Sequence, residues 1–481
     1  MFECSNCGGN LKFDIPSQQL VCEHCKTTAD PYAFDKKDTD AVEQTVFDAT
    51  IFTCPQCGGE ILSTDTSAAE FCSFCGASTI LYSRIRKEKR PTYIIPFKKT
   101  KEDCKKAYTS FMKKAIFAPN ALKDPKRIDS FRGIYMPYWA FHMTQNQSFS
   151  LKGSRSHRSG DYIYTDHYAL HGELDAYYKG LSYDAASSFD DTISQKLAPY
   201  NIKDVKPFTP AFLSGFYADT SDVDASVYVP DAKAIATQTA RNEIFRTPAF
   251  SSYHPSGGSD MNLKTDLQQT DSAMFPVWFL SYRNGDRVAY ATINGQTGKI
   301  VSDLPVDLKK YMIGSLLLAI PIFIFLNIFF TFTPRTLLLV IAIISTISML
   351  LFLLESMQIK KKESGELDKG KLYLQNLHSN NDTNINNPPK SDSNNFTSKT
   401  TTTNVKTYKK KSLGLFTSIV AIVLSIAIFV LNPVDDLIFY GASILCLIGL
   451  FITIKDLMHN YNLLATRKLP QFERTGGDDN A

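Results

Sequence analysis

Eight of the ten cysteines fall within the first eighty residues, in four pairs three positions apart: Cys4 and Cys7, Cys22 and Cys25, Cys54 and Cys57, Cys72 and Cys75. Fourteen residues separate Cys7 from Cys22, and fourteen separate Cys57 from Cys72, so the second unit repeats the first fifty positions later. Two cysteines three apart can wrap a tight turn around one metal ion, and two such turns supply four thiolates in a tetrahedron. Cys7-Gly8-Gly9 and Cys57-Gly58-Gly59 give each unit the positive-φ residues that such a knuckle needs. The chemistry expected is two structural Zn²⁺ ions. One is held by Cys4, Cys7, Cys22 and Cys25, the other by Cys54, Cys57, Cys72 and Cys75. Disulfides would need an oxidising compartment, and the N-terminus does not resemble a signal peptide. Iron suits the same ligands, but no electron-transfer context accompanies them.

Each metal acts first as a staple, because units this small hold too few apolar residues for an independent core. Zinc ribbons often bind nucleic acid, and charge decides against that here. Residues 1–80 hold four Lys and no Arg against twelve Asp plus Glu, a formal charge of −8. Each Zn²⁺ with four thiolates adds about −2 more. So acidic a surface repels phosphate. The ribbons are expected to be structural or protein-binding.

The fold class expected is multidomain: two small β zinc ribbons, an α+β soluble domain with an antiparallel sheet, and four transmembrane α-helices as two hairpins. The boundaries read as ribbon 1–33, linker 34–50, ribbon 51–83 and basic linker 84–92. An α+β domain over 93–308, a transmembrane hairpin over 311–355 and a disordered loop over 356–411 follow. A second hairpin at 412–455 and a polar tail at 456–481, loose after Leu464, complete the chain. Within the α+β domain, Thr100 caps a helix running to about Phe117, with Cys104, Ala107, Phe111 and Ala115 on one face. Cys104 is thus a small core residue. Period-two alternation from Gly133 to about Tyr183 predicts strands. His167 and His171 share a strand face about 13 Å apart, too far to share an ion. Helices are expected ending near Pro199 and over Asp231–Ile244, then a hairpin turning at Asn284-Gly285-Asp286. Trp139 and Trp278 each follow a Pro-x step and read as cross-strand anchors. Asn294–Lys299 lacks the spacing of a phosphate loop, and Ile300 stands where a Ser or Thr is required.

The motifs Tyr93-Ile94-Ile95-Pro96-Phe97, Gly133-Ile134-Tyr135-Met136-Pro137-Tyr138-Trp139 and Pro207–Phe216 (PFTPAFLSGF), with Phe275-Pro276-Val277-Trp278 and Asn294–Lys299, join the CxxCGG knuckles in a specific order. In that order the chain resembles the bacterial TFIIB-type zinc-ribbon-containing membrane proteins, over roughly residues 1–335. Some of these resemble membrane partners of PspA-like and SPFH-like proteins in envelope-stress systems. The resemblance implies a membrane-held adaptor; none of its motifs is catalytic. Tandem ribbons and a second hydrophobic pair depart from many members.

Four apolar runs, Met312–Phe332, Thr336–Leu354, Leu413–Leu431 and Leu437–Ile454, contain no Asp, Glu, Lys, Arg or His. Each is long enough to cross about 30 Å of hydrocarbon. With no ionisable residue inside, they read as anchors and not as a transport path. Lys309, Lys310, Lys360 to Lys362, Lys409 to Lys411 and Lys455 flank the open ends. The positive-inside rule places both termini and the central loop in the cytoplasm of a multi-pass cell-membrane protein. The reading is an adaptor or scaffold, not an enzyme, whose partners are the lipid bilayer and cytoplasmic or membrane-associated proteins. The alternative is a membrane-tethered nucleic-acid binder.

Overall fold

The computed structural model describes residues 2–34, 46–63, 72–77, 82–255, 263–329, 333–366, 368–374, 376 and 413–470. Most of the linker expected at 34–50, the central loop from 377 onward and the tail beyond 470 lie outside the described residues.

The first ribbon is a three-stranded sheet of β1 (Leu11–Asp14), β2 (Gln19–Cys22) and β3 (Thr28–Ala29). The second ribbon is built differently from the expected free-standing module. Its strands β4 (Val46–Thr53), β5 (Glu60–Ser63) and β6 (Tyr82–Lys89) belong to the large sheet of the soluble domain. The stretch expected as a solvated basic linker at 84–92 is mostly β6, paired with β4 from Val46↔Lys89 to Thr53↔Tyr82. Its charges suit an outermost strand, where they discourage further pairing. Charge density hid the alternation from a sequence reading.

The soluble domain continues with β7 (Tyr93–Ile94), α1 (Lys101–Lys114), α2 (Pro125–Ile128), β8 (Arg132–Ser159), β9 (Tyr162–Asp184) and α3 (Asp191–Leu197). Then come β10 (Lys206–Pro207), β11 (Tyr217–Ala218), α4 (Val229–Arg246), β12 (His254–Pro255), β13 (Asp266–Asn284), β14 (Arg287–Asn294) and β15 (Ile300–Ser302). The sheet runs β10-β7-β13-β8-β11-β5-β4-β6, with β9 and β12 on β8 and β14 on β13. Most pairs are antiparallel; β11 with β8 and β13 with β7 are parallel. Helix α1 begins in the expected capping box of Thr100 and Asp103, but it ends at Lys114. Its buried face is Cys104, Tyr108 and Met112, with Phe111 and Ala115 half-buried at the side. Leaving the helix at Ala115 lets Phe117 turn onto Tyr311, ring centroids 5.4 Å apart. His167 and His171 are exposed on β9, as are Tyr162 and Tyr164. The β8–β9 ribbon there projects beyond the body that would cover a face.

The motifs that carry the family resemblance converge on one ring. Phe97 stacks on Phe216 (4.5 Å) and contacts the rings of Tyr135 (4.9 Å) and Trp278 (5.1 Å). A Cβ at Gly295 would stand 2.5 Å from that ring, and one at Gly133 would stand 2.6 Å from Phe216 and 3.1 Å from Phe97. Each of the five motifs therefore supplies one wall of an aromatic core, which is a packing role. Both tryptophans lie on the β8–β13 pair, their indole N–H groups donating to the Val223 and Lys99 carbonyls.

Among the described residues, four helices are long and apolar enough to span a membrane: α5 (Leu308–Phe329), α6 (Pro334–Glu363), α7 (Leu413–Leu431) and α8 (Asp436–Leu464). They do not pack as two hairpins. Small residues, among them Ser345, Ser418, Ala421, Ser425, Ala442 and Ser443, are buried where α6, α7 and α8 come together. Such residues let helix backbones approach closely. No described residue of α5 is buried. Past Ser315 the apolar part of α5 is mostly Leu, Ile and Phe, with Ala319 its one small residue, and it stands apart from the other three helices.

The polar segments beside these helices are docked, contrary to expectation. The loop after α6 returns to the soluble domain, where the Lys369 N–H donates to Asp191 Oδ2 (2.7 Å) and its ammonium pairs with Asp231. The tail expected to be loose re-enters the sheet as β16 (Arg467–Lys468), paired with Arg287 and Val288 of β14. Two residues of strand are too few to leave a sequence signal.

Candidate metal centres

The eight cysteines come together as two groups of four, with the ligand atoms of each within 4.8 Å of one another. In the first, Cys4–Cys25, Cys7–Cys22 and Cys7–Cys25 sulfurs stand 3.6, 3.4 and 3.4 Å apart. In the second, Cys54–Cys75 and Cys57–Cys72 stand 3.8 and 3.7 Å apart. Four sulfurs held about 2.3 Å from one ion in a tetrahedron would be about 3.8 Å apart. The donor set and its spacing therefore fit a thiolate-bound tetrahedral ion in both places.

One backbone device builds all four turns. The N–H four residues after the leading cysteine donates back to its carbonyl: Gly8 to Cys4, Lys26 to Cys22, Gly58 to Cys54 and Gly76 to Cys72. The cysteine N–H in turn donates to the carbonyl five residues on, from Cys4 to Gly9, Cys22 to Thr27, Cys54 to Gly59 and Cys72 to Ala77. The fourth residue sits at positive φ each time, +70°, +61°, +74° and +69°. Glycine fills three of these places and Lys26 the other, so the CxxCGG signature marks only the turns where it occurs.

The two centres differ in surroundings. Cys7 and Cys25 are exposed while Cys4 and Cys22 are buried; in the second centre all four are buried. The first ribbon rests on the Pro207–Phe216 motif. Phe13 meets Phe212 edge-on at 5.1 Å, and the Ser214 hydroxyl donates to the Leu11 carbonyl at 2.6 Å. The second centre is walled by Phe52, Ile61 and Phe74, with Tyr217 and Leu469 packed against it. Leu469 comes from the returning tail. This contact was invisible in sequence, since nothing local links residue 469 to a cysteine four hundred positions earlier.

Electrostatics favour a bound cation. The Thr27 hydroxyl, then its N–H, hold Cys25 down to about 5, toward the thiolate that ligates metal. In the second centre, hydrogen bonds from Cys57, Cys72 and Cys75 hold Cys54 down, while Cys54, Cys57 and Cys75 push Cys72 up. Four thiols buried together cannot all ionise unaided; a divalent cation removes that conflict. Cys104 stands alone in α1, pushed up to about 12 by burial, and is a core residue as expected.

The chain is 28% identical over 313 residues to YdjG of Bacillus subtilis (strain 168), an uncharacterized protein; the match covers 64% of this chain and 91% of that one. No protein-family model matches the chain. No solved structure matches it either.

Proposed function

We propose that the chain is a membrane-anchored adaptor whose two Zn²⁺-loaded ribbons and α+β domain form a cytoplasmic platform for protein partners, in the manner of the TFIIB-type zinc-ribbon membrane proteins it resembles. The observation that carries this reading is the physical continuity from metal centre to membrane helix. The second centre packs on Leu469, and the segment holding Leu469 leads directly out of α8. A partner seated on the ribbons thereby bears on the bundle through one sheet.

Two further features support the reading. The five family motifs are spent on packing around Phe97 and leave no nucleophile–base pair among them. The ribbon sequence carries −8, which favours basic protein surfaces over nucleic acid. Lysines at the helix ends support a cytoplasmic orientation of the platform, where envelope-stress partners such as PspA-like proteins would meet it.

The test uses the full chain in lipid nanodiscs, because β6 and β11 complete the second ribbon and a fragment ending at residue 83 would cut β6. Partners cross-linked to the native chain in membranes are compared with those of Cys54→Ser plus Cys57→Ser. Loss of a defined partner set with the second metal supports the adaptor. A partner set indifferent to the metal, or tight DNA binding by the native chain at low salt, overturns it.

A further inference from the structure

Where α5 begins and α8 ends, a cleft of about 630 Å³ opens between the soluble domain and the helices. Tyr282 and Arg287 line it from the β13–β14 hairpin, Leu308 from α5, and Lys455, His459 and Asn462 from α8. Its rim is fixed. The Asn462 side-chain amide exchanges hydrogen bonds with both backbone groups of Val306, at 2.7 and 2.8 Å. Arg287 is fully committed, to Glu363, to Thr466 Oγ1 and to the Leu463 and Thr466 carbonyls. Lys455 is exposed and makes no ion pair among the described residues. It is the cation the cleft has to offer.

The lining residues of α8 continue into an apolar stripe. Ile444, Ile448 and Phe451 lie four, three and four residues apart on the way to Lys455, which places all four on one helix face. These three side chains are 59%, 55% and 54% exposed, so among the described residues no other helix covers that face. Helix α5 borders the same cleft through Leu308, and its own apolar residues are bare. From Ile444 to Lys455 the helix rises about 16 Å, half the roughly 30 Å of a bilayer core. An ammonium at that height meets the phosphate of a lipid headgroup, while the stripe below meets its acyl chain.

We infer that this cleft is a phospholipid site. One lipid seats its headgroup phosphate against Lys455, beneath Arg287 and Tyr282, and lays an acyl chain along Ile444, Ile448 and Phe451 in the space between α8 and α5. The lipid then fills the gap that keeps α5 out of the three-helix bundle, joining it to the rest of the protein. A free phosphate would satisfy the ammonium but not the stripe, and the experiment separates the two.

The full chain is reconstituted with phosphatidylglycerol, extracted in mild detergent and weighed by native mass spectrometry. One phospholipid per chain should remain, and excess inorganic phosphate should not displace it. Lys455→Glu should cut retention at least about ten-fold, and Ile448→Trp, which fills the stripe without changing charge, should also cut it. Lys114→Glu, an exposed lysine outside the cleft, should retain the lipid as the native chain does. Size-exclusion and circular dichroism show whether each variant is folded. The proposal fails if the native chain keeps no lipid, if inorganic phosphate displaces it, or if folded Lys455→Glu and Ile448→Trp chains retain as much as the native one.

Discussion

The hydroxyl of Tyr290 donates a 2.7 Å hydrogen bond to the carbonyl of Phe74, inside the Cys72–Cys75 turn. Tyr290 lies on β14, and the guanidinium of Arg467 stands 5.7 Å over its ring. One buried side chain thus touches the second metal centre on one side and the segment leaving the last membrane helix on the other. Arg467 is itself fixed by ion pairs with Asp190 (2.5 Å) and Asp303 (3.4 Å).

Removing the hydroxyl tests the coupling. Tyr290→Phe removes the hydroxyl that donates to the Phe74 carbonyl, at a cost of about 0.5–1.5 kcal/mol localised at the second turn. Release of bound metal to a chromogenic chelator should then speed up for one equivalent and stay unchanged for the other. Equal acceleration at both centres, or at neither, would count against the link.

The tail offers the complementary experiment. Arg467→Ala leaves Asp190 and Asp303 facing each other without their shared cation, and breaking a buried pair this way costs about 3–5 kcal/mol. The side chain is 15% exposed, so the lower end of that range applies. Limited proteolysis in nanodiscs should cut after Leu464 in the variant under conditions where the native chain resists. Equal resistance would mean that the tail is held by its backbone pairing to β14 alone.

The four knuckles make a sharper prediction about a single residue. Lys26 holds φ at +61°, where its three counterparts at the other turns are glycines. A side chain in the left-handed region costs roughly 1–2 kcal/mol, partly offset by the greater freedom glycine gives the unfolded chain. Lys26→Gly should therefore stabilise the first ribbon by up to about 1 kcal/mol, and Gly58→Ala should weaken the second by about 1–2 kcal/mol. Thermal melting of metal-loaded protein measures both.

What was legible in the sequence was local. CxxC spacing reports a turn of four residues, and a charge-free apolar run reports a helix in lipid; neither depends on distant partners. The Phe97 core is an intermediate case, since its motifs stand out singly but nothing in one sequence says that they share a ring. Two strand pairings were out of reach. The alternation of β6 was masked by its arginines and lysines, β16 is two residues long, and both depend on strands far away in the chain. The separation of α5 from the bundle follows from where small residues fall on α6, α7 and α8, a pattern visible only once the helices are paired.

Burial makes stability depend on pH in a stated direction. Asp219, 4% exposed, is pushed up to about 7 by burial, against the pull of the Ser188 hydroxyl. Burial likewise raises Asp191 to about 6. Unfolded, both would titrate near 3.8. Between about pH 4 and 7 the folded chain therefore holds more protons than the unfolded one, and this contribution to stability falls as pH rises through that window. Asp219→Asn removes the proton from the balance. Its melting temperature should change less than that of the native chain between pH 5.5 and 7.5, with both proteins loaded with metal. A steeper slope in the variant would reverse the assignment.

Topology follows from where the helix ends are tied. The Val306 N–H, just before α5, donates to Asn462 near the end of α8, and the Gly414 N–H at the start of α7 donates to Asp456. The Lys362 ammonium, in the last turn of α6, reaches the Leu464 and Thr466 carbonyls. All four of these ends thus gather beside the soluble domain, and the turn at Asn432 lies at the opposite end of α7 and α8. If the lysines face the cytoplasm, a cysteine placed at Asn432 should react with an impermeant maleimide added to intact cells. One placed at Ser391 in the central loop should react only after the membrane is opened. Labelling at 391 but not at 432 would invert the protein in the membrane, and with it the compartment in which its partners must be sought.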